Sequence, residues 1–139
     1  MFNDSPASNP QPTPTLGIFQ QNVQQEGEHR PWGSYLILQD EPHFKLKKLT
    51  VLPQQRLSLQ LHHHREEHWL VVKGNPVITV GDRTWQATVG EQIFIPCESP
   101  HRLANPTDEL VELIEVQLGS SFDENDIVRL QDDYNRPQP

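Results

Sequence analysis

The chain has one cysteine, Cys97, in 139 residues. It cannot form an internal disulfide, and a thiolate zinc cluster would need more than one sulfur. Any metal must therefore be held by His, Glu, Asp or amide ligands. Long apolar runs are also lacking. Nothing approaches the roughly 20 apolar residues that span a bilayer, and no charged-then-apolar leader opens the chain. The expectation is a soluble, cytoplasmic protein with no membrane partner. Sustained helical periodicity is missing from the middle of the chain. At 16.0 kDa there is room for one domain and one core, which excludes a two-domain enzyme with separate substrate modules.

Basic residues are few, 11 Lys and Arg against 19 Asp and Glu, for a formal charge of −8. The imbalance is uneven. Residues 1–28 and 119–139 each carry −3, which leaves −2 and nine cations for the middle. A near-neutral core can still offer a local cationic pocket to a phosphate. No Lys/Arg run or aromatic-interleaved basic stripe points to nucleic acid, so none is expected as a partner.

Residues 1–28 are rich in Pro, Gln, Asn, Ser and Thr and read as a disordered leader that buries too little surface to order itself. Residues 29–139 form the expected folded domain. Short alternating or β-branched stretches, cut by Pro and Gly about every ten residues, are the spacing of a sandwich or barrel. Strands are predicted over 34–39, 44–52, 58–62, 67–73, 77–80, 83–88, 92–95, 101–104 and 111–117. Gly81-Asp82 reads as a two-residue hairpin loop. Ser121 with Glu124 resembles a capping box and predicts a short helix through Leu130. The fold class is all-β with a short C-terminal helix.

Five of the seven histidines, His62, His63, His64, His68 and His101, fall in or near two predicted strands. A clustered His/Glu set suits a metal, although a His-rich turn is also ordinary solvated surface. Strand alternation sorts them. Leu59 and Leu61 take one face, leaving Gln60 and His62 to serve a site on the other. His64 shares the parity of His62, whereas His63 and His68 face away.

The stretch from Gln60 to Gly74 resembles the first cupin motif, a His-x-His pair followed by Glu and, after six residues, Gly. With Glu67 and Gly74 fixed, the second His of the pair is His62 and the first is replaced by Gln60. The second motif is matched by Gly90, Pro96, His101 and Asn105, with Glu98 where the motif has Gly. Arg30-Pro31-Trp32-Gly33, Leu57-Ser58-Leu59-Gln60, Pro100-His101-Arg102, Ile114-Glu115-Val116-Gln117 and Asp126-Ile127-Val128-Arg129 are further similar to the C-terminal domain of type II mannose-6-phosphate isomerases. The resemblance spans residues 30–136. It implies a cupin double-stranded β-helix, or jelly roll, here as a stand-alone domain. The nucleotidyltransferase domain that usually precedes this barrel is not expected in so short a chain.

By resemblance to the zinc set of the type I isomerases, which are also cupins, Gln60, His62, Glu67 and His101 are the expected metal ligands. His64 is an alternative ligand or an acid/base group. Such donors suit zinc first, with manganese, iron, cobalt or nickel behind it. The implied activity interconverts mannose 6-phosphate and fructose 6-phosphate through an enediolate, within nucleotide-sugar biosynthesis. That reaction needs an electrophile for the oxyanion and a base for the proton. His64, Lys47 and Arg30 are the expected catalytic residues, and Arg30, Lys45, Lys47 and Arg65 the expected cations for the sugar phosphate. Arg102, pointing away from His101, is expected at the surface or an interface. Another cupin metalloenzyme, a dioxygenase or a different sugar isomerase or epimerase, is the alternative, as is a noncatalytic metal- and sugar-binding barrel. A homodimer is expected from family habit.

Overall fold

The computed structural model describes residues 26–139. The expected leader lies outside the described residues up to residue 25. Gly27 and Glu28, assigned to that leader, instead belong to the first strand. Twelve strands form among the described residues: β1 (Gly27–Arg30), β2 (Gly33–Glu41), β3 (Phe44–Val51), β4 (Gln55–Arg56), β5 (Leu59–Leu61), β6 (Arg65–Lys73), β7 (Val77–Val80), β8 (Arg83–Gln86), β9 (Gln92–Ile95), β10 (His101–Asn105), β11 (Val111–Gly119) and β12 (Val128–Gln131). One antiparallel sheet runs β1-β2-β3-β11-β6-β9 and the other β12-β5-β10-β7-β8, with β4 also paired to β10. No helix in this set is long and apolar enough to cross a membrane.

The expected C-terminal helix does not form. Ser121 Oγ accepts from the Asp123 N–H at 3.3 Å, and Asp123 Oδ1 accepts from the Asn125 N–H at 2.9 Å. These local bonds compete with a helical ladder and make a turn. Glu124 turns to Lys47 rather than back to the chain. The β-branched Ile127 and Val128 then lead into β12, which pairs with β5. Residues 120–139 therefore form a strap that contacts Lys45 and Lys47 of the first sheet and then joins the edge of the second as β12.

The strands of the first sheet change character along their length. On β11 the inward side chains run Val111, Leu113, Glu115, Gln117, on β6 Val71, Trp69, Glu67, Arg65, and on β3 Val51, Leu49, Lys47. Register aligns these series: Leu113 lies opposite Leu49 and Val71, while Glu115 lies opposite Lys47 and Trp69. One end of the interior is therefore an apolar core, completed by Ile78 and Leu103 from the second sheet, while Ile93 and Ile95 on β9 lie opposite Trp69 and Glu67. The other end is lined by charged and amide groups. Gly74 closes the β6 turn at φ +84, where an added Cβ would sit 2.6 Å from the Leu110 carbonyl oxygen, so the position admits no side chain.

Candidate metal centre

The polar end of the interior collects side chains from both sheets. Gln60 (β5), His62 just after it, Glu67 (β6) and His101 (β10) converge, with His62, Glu67 and His101 each about 2 % exposed. Gln60 lies opposite His101 across the β5–β10 pair. The ligating atoms of His62, Glu67 and His101 all fall within 4.8 Å of one another. His62 Nε2 is 3.2 Å from Glu67 Oε2, and His101 Nε2 is 3.7 Å from Glu67 Oε1. Ligands held about 2.0–2.2 Å from an ion at tetrahedral angles stand about 3.3–3.6 Å apart, so the observed separations bracket a metal site.

Both imidazoles are oriented from behind. His62 Nδ1 donates to the Asp126 carbonyl at 2.6 Å and His101 Nδ1 to the Ser99 carbonyl at 2.9 Å. With Nδ1 holding the proton, each Nε2 presents its lone pair to the centre, the tautomer a metal requires. His101 Nε2 is buried and has no hydrogen-bond partner. Burial lowers the His101 pKa and keeps the ring neutral. Burial works to raise the Glu67 carboxyl, but its contact with His62, the nearby His101 and the Arg65 guanidinium together hold it well below the usual carboxylate range. Two neutral imidazoles and one carboxylate are a donor set that fits a divalent ion.

Around this core the wall bears groups that sequence reasoning did not single out. Trp69 Nε1 donates to both Glu67 Oε1 at 3.1 Å and Glu115 Oε2 at 3.2 Å. Gln117 Nε2 donates to Glu115 Oε1 at 2.7 Å, and Gln117 Oε1 is buried without a partner. Burial, reinforced by the neighbouring Glu67 charge, pushes the Glu115 carboxyl up to about 8. The alternation Val111, Leu113, Glu115, Gln117 carried the signal that both polar residues face inward. Glu124, Arg129 and Arg136 also reach the wall, delivered by the C-terminal strap, whose path local pattern does not encode.

Most of the expected site residues gather here. Arg30, Lys47, Arg65, Gln60, His62 and Glu67 all line one cavity of about 90 Å³, and His101 closes the ligand cluster beside it. Lys47 pairs with Glu124 and lies 4.3 Å from the Tyr35 ring centroid. Arg65 Nε approaches Glu67 Oε2 at 3.4 Å, and Arg65 Nη1 donates to the Asp123 carbonyl at 3.0 Å. Lys45 shares the Lys47 face but stands farther out, donating to the Phe122 carbonyl at 3.4 Å, off the cavity wall. His64 is exposed and absent from the wall. Strand β5 ends at Leu61 and β6 begins at Arg65, so residues 62–64 form a turn in which strand parity with His62 no longer applies. His63 and His68 are exposed, as alternation indicated. Arg102, expected at the surface or an interface, is 8 % exposed and ties the strap down, donating to the Leu57 carbonyl and to Gln131.

Residues 19–132 match the family described as mannose-6-phosphate isomerase C-terminal. The chain belongs to this family. The alginate biosynthesis protein AlgA of Pseudomonas aeruginosa is 50% identical over 108 residues, 78% of this chain and 22% of that protein. The xanthan biosynthesis protein XanB of Xanthomonas campestris is 47% identical over 108 residues, 78% of this chain and 23% of that protein. The chain thus spans less than a quarter of the length of these relatives. A cupin-2 domain from Rhodospirillum rubrum superposes with a TM-score of 0.63 at 15% identity, covering 87% of this chain and 80% of that one. The fold is therefore the cupin double-stranded β-helix that the two sequence motifs implied.

Proposed function

We propose that this member of the mannose-6-phosphate isomerase C-terminal family is a metal-dependent aldose–ketose isomerase that interconverts mannose 6-phosphate and fructose 6-phosphate. The observation that carries this reading is the buried trio His62, Glu67 and His101, with both Nε2 lone pairs aimed inward and one of them unpartnered. These three residues would hold a divalent ion, zinc first among the metals their donors suit, with Gln60 as a fourth ligand. Ser58 Oγ now donates to Gln60 Oε1 at 2.7 Å, which turns Gln60 Nε2 toward His62. Rotating the amide by half a turn brings Oε1 to the centre; the Ser58 hydroxyl then accepts from Nε2, and the contact of Nε2 with His62 Nε2 is given up, which frees that lone pair. When bound, the ion supplies Lewis-acid stabilisation of the oxyanion that develops during isomerisation.

The chain supplies the remaining requirements. Lys47 and Glu115 stand side by side on the wall at register positions facing the centre, where each can hold or pass a proton. Arg65, itself buried, holds the Glu67 carboxylate and adds positive charge near the ligand set. Trp32, Tyr35 and Leu57 form the less polar part of the cavity and limit access of water to the reacting end. Arg30 brings a cation to the rim.

The test is turnover of mannose 6-phosphate by protein stripped of metal and reloaded separately with zinc, manganese, cobalt, nickel or iron. The reading predicts activity that returns with one or more ions and disappears with chelator. Stoichiometric metal binding without turnover under any ion would contradict it in favour of another cupin chemistry or a binding-only barrel.

A further inference from the structure

Three arginines share the cavity wall, Arg30 on β1 and, from the other end of the sequence, Arg129 on β12 and Arg136 near the C-terminus. Like charges repel, and the nearby Arg136 and Arg30 charges add to burial in lowering the Arg129 pKa. Two of the three have their own acids. Arg30 pairs with Glu28, and Arg136 grips Asp132 through two bonds of 2.9 Å. Arg129 has no carboxylate within ion-pair distance among the described residues. Its Nη1 donates only to the Pro137 carbonyl at 3.0 Å, and its Nε is buried with no partner. A buried guanidinium donor left open costs stability unless something accepts from it.

Register fixes where this open donor stands. Arg129 lies directly opposite Gln60, which in turn lies opposite His101. Neighbouring strands are about 4.8 Å apart, so Arg129 stands about one strand spacing from Gln60 and two from His101. A ligand that reacts at the His/Glu centre at one end and carries an anion at its other end spans this row. The two lysines expected for that anion fit less well. Lys47 is already paired with Glu124, and Lys45 is held off the wall by the Phe122 carbonyl. A guanidinium also offers a planar pair of donors to a phosphate, which an ammonium does not.

We infer that Arg129, flanked by Arg136 and Arg30, is the residue that grips the phosphate of the sugar-phosphate substrate, a specificity role that the C-terminal strap brings to the barrel. The inference rests on the isomerase reading for the identity of the substrate but not for the anion site itself. Binding tests it without turnover. Calorimetric titration of the full, zinc-loaded chain with mannose 6-phosphate, mannose and inorganic phosphate should show the two phosphate-bearing ligands binding and mannose far weaker. Arg129→Met should weaken both phosphate-bearing ligands by about 10- to 100-fold, the worth of a charge-assisted contact. Zinc affinity should be unchanged, and Arg83→Met, remote from the cavity, should behave as the parent chain. If Arg129→Met does not fold, Arg129→Lys replaces it, keeping charge and stem while losing the forked donors; weaker phosphate binding with zinc affinity intact is then expected. Unchanged phosphate affinity in either folded variant would overturn the assignment, as would equal affinity of the parent chain for mannose and mannose 6-phosphate. Phosphate binding that follows Arg129 in a chain that turns over no mannose 6-phosphate would leave the anion site standing and overturn the isomerase reading instead.

Discussion

At Glu98 the second cupin motif has glycine, and the backbone shows why. Its φ is +67, in the left-handed region where a side chain costs roughly 1–2 kcal/mol. The conformation persists because the Glu98 N–H donates to the His62 carbonyl at 2.8 Å, tying the loop before His101 to the turn that carries His62. The Glu98 side chain points into solvent toward His63 at 3.9 Å and leaves the cavity open. Glu98→Gly is therefore expected to raise stability by about 0.5–1 kcal/mol, the backbone strain removed less the added entropy of the unfolded chain. Chemical denaturation of the two proteins checks the sign, and a less stable Gly variant would contradict it. The residues that converge at the polar end were legible because two motifs at fixed separation named them. His64 stands off the cavity wall because parity is a property of strands, and residues 62–64 are a turn. Glu115 and Gln117 were present in an inward series whose first members, Val111 and Leu113, read as core.

Among elements, the C-terminal strap does most to build the site from outside the motifs. Its Asp126 accepts from the backbone N–H groups of His63 and His64, both at 3.0 Å, while its carbonyl receives His62 Nδ1. Removing the carboxylate frees the turn and with it the carbonyl that orients a metal ligand. Asp126→Ala should weaken zinc binding by about 10-fold, in the range found when a group behind a ligand is lost. Competition with a chromophoric chelator checks this, and parental affinity would contradict it. Farther along, Arg136 and the backbone N–H groups of Tyr134 and Arg136 draw the Asp132 pKa down from 3.8 to about 2, the Arg136 side-chain bond contributing most. A depressed folded pKa gives stability that is present above about pH 4 and lost as pH falls toward 2. Asp132→Asn should therefore be less stable than the parent by about 1 kcal/mol at neutral pH, with the difference vanishing by about pH 2. A difference independent of pH would show that charge plays no part in this clasp. The strands were legible from alternation, several to within a residue or two. The strap was not, because Ser121 and Glu124 satisfy a helix-start pattern whose partners turn out to be local turn bonds and a lysine on another sheet.

For the molecule as a whole, the barrel is divided along its axis. Packing of Val51, Val71, Val111, Ile78, Leu103 and Leu113 at one end fixes the positions of the strands, and each such fully buried side chain contributes about 1.5–3 kcal/mol. That rigid end sets the register by which Lys47, Trp69 and Glu115 meet at the other, where polar groups are held with few freedoms left. Burying so many ionisable side chains is unfavourable unless their charges are matched. A cation bound at the proposed site would offset part of that cost, since His101 Nε2 has no protein partner and the Glu67 carboxylate is buried beside it. In the proposed function one divalent ion is held by His62, Glu67 and His101. Measuring zinc bound per chain at equilibrium for the parent and for His101→Ala tests it most directly. One zinc per parent chain, with loss of the tight site in a folded His101→Ala variant, is the predicted result. Full zinc occupancy in His101→Ala, or no tight zinc in the parent chain under conditions where it is folded, would contradict it.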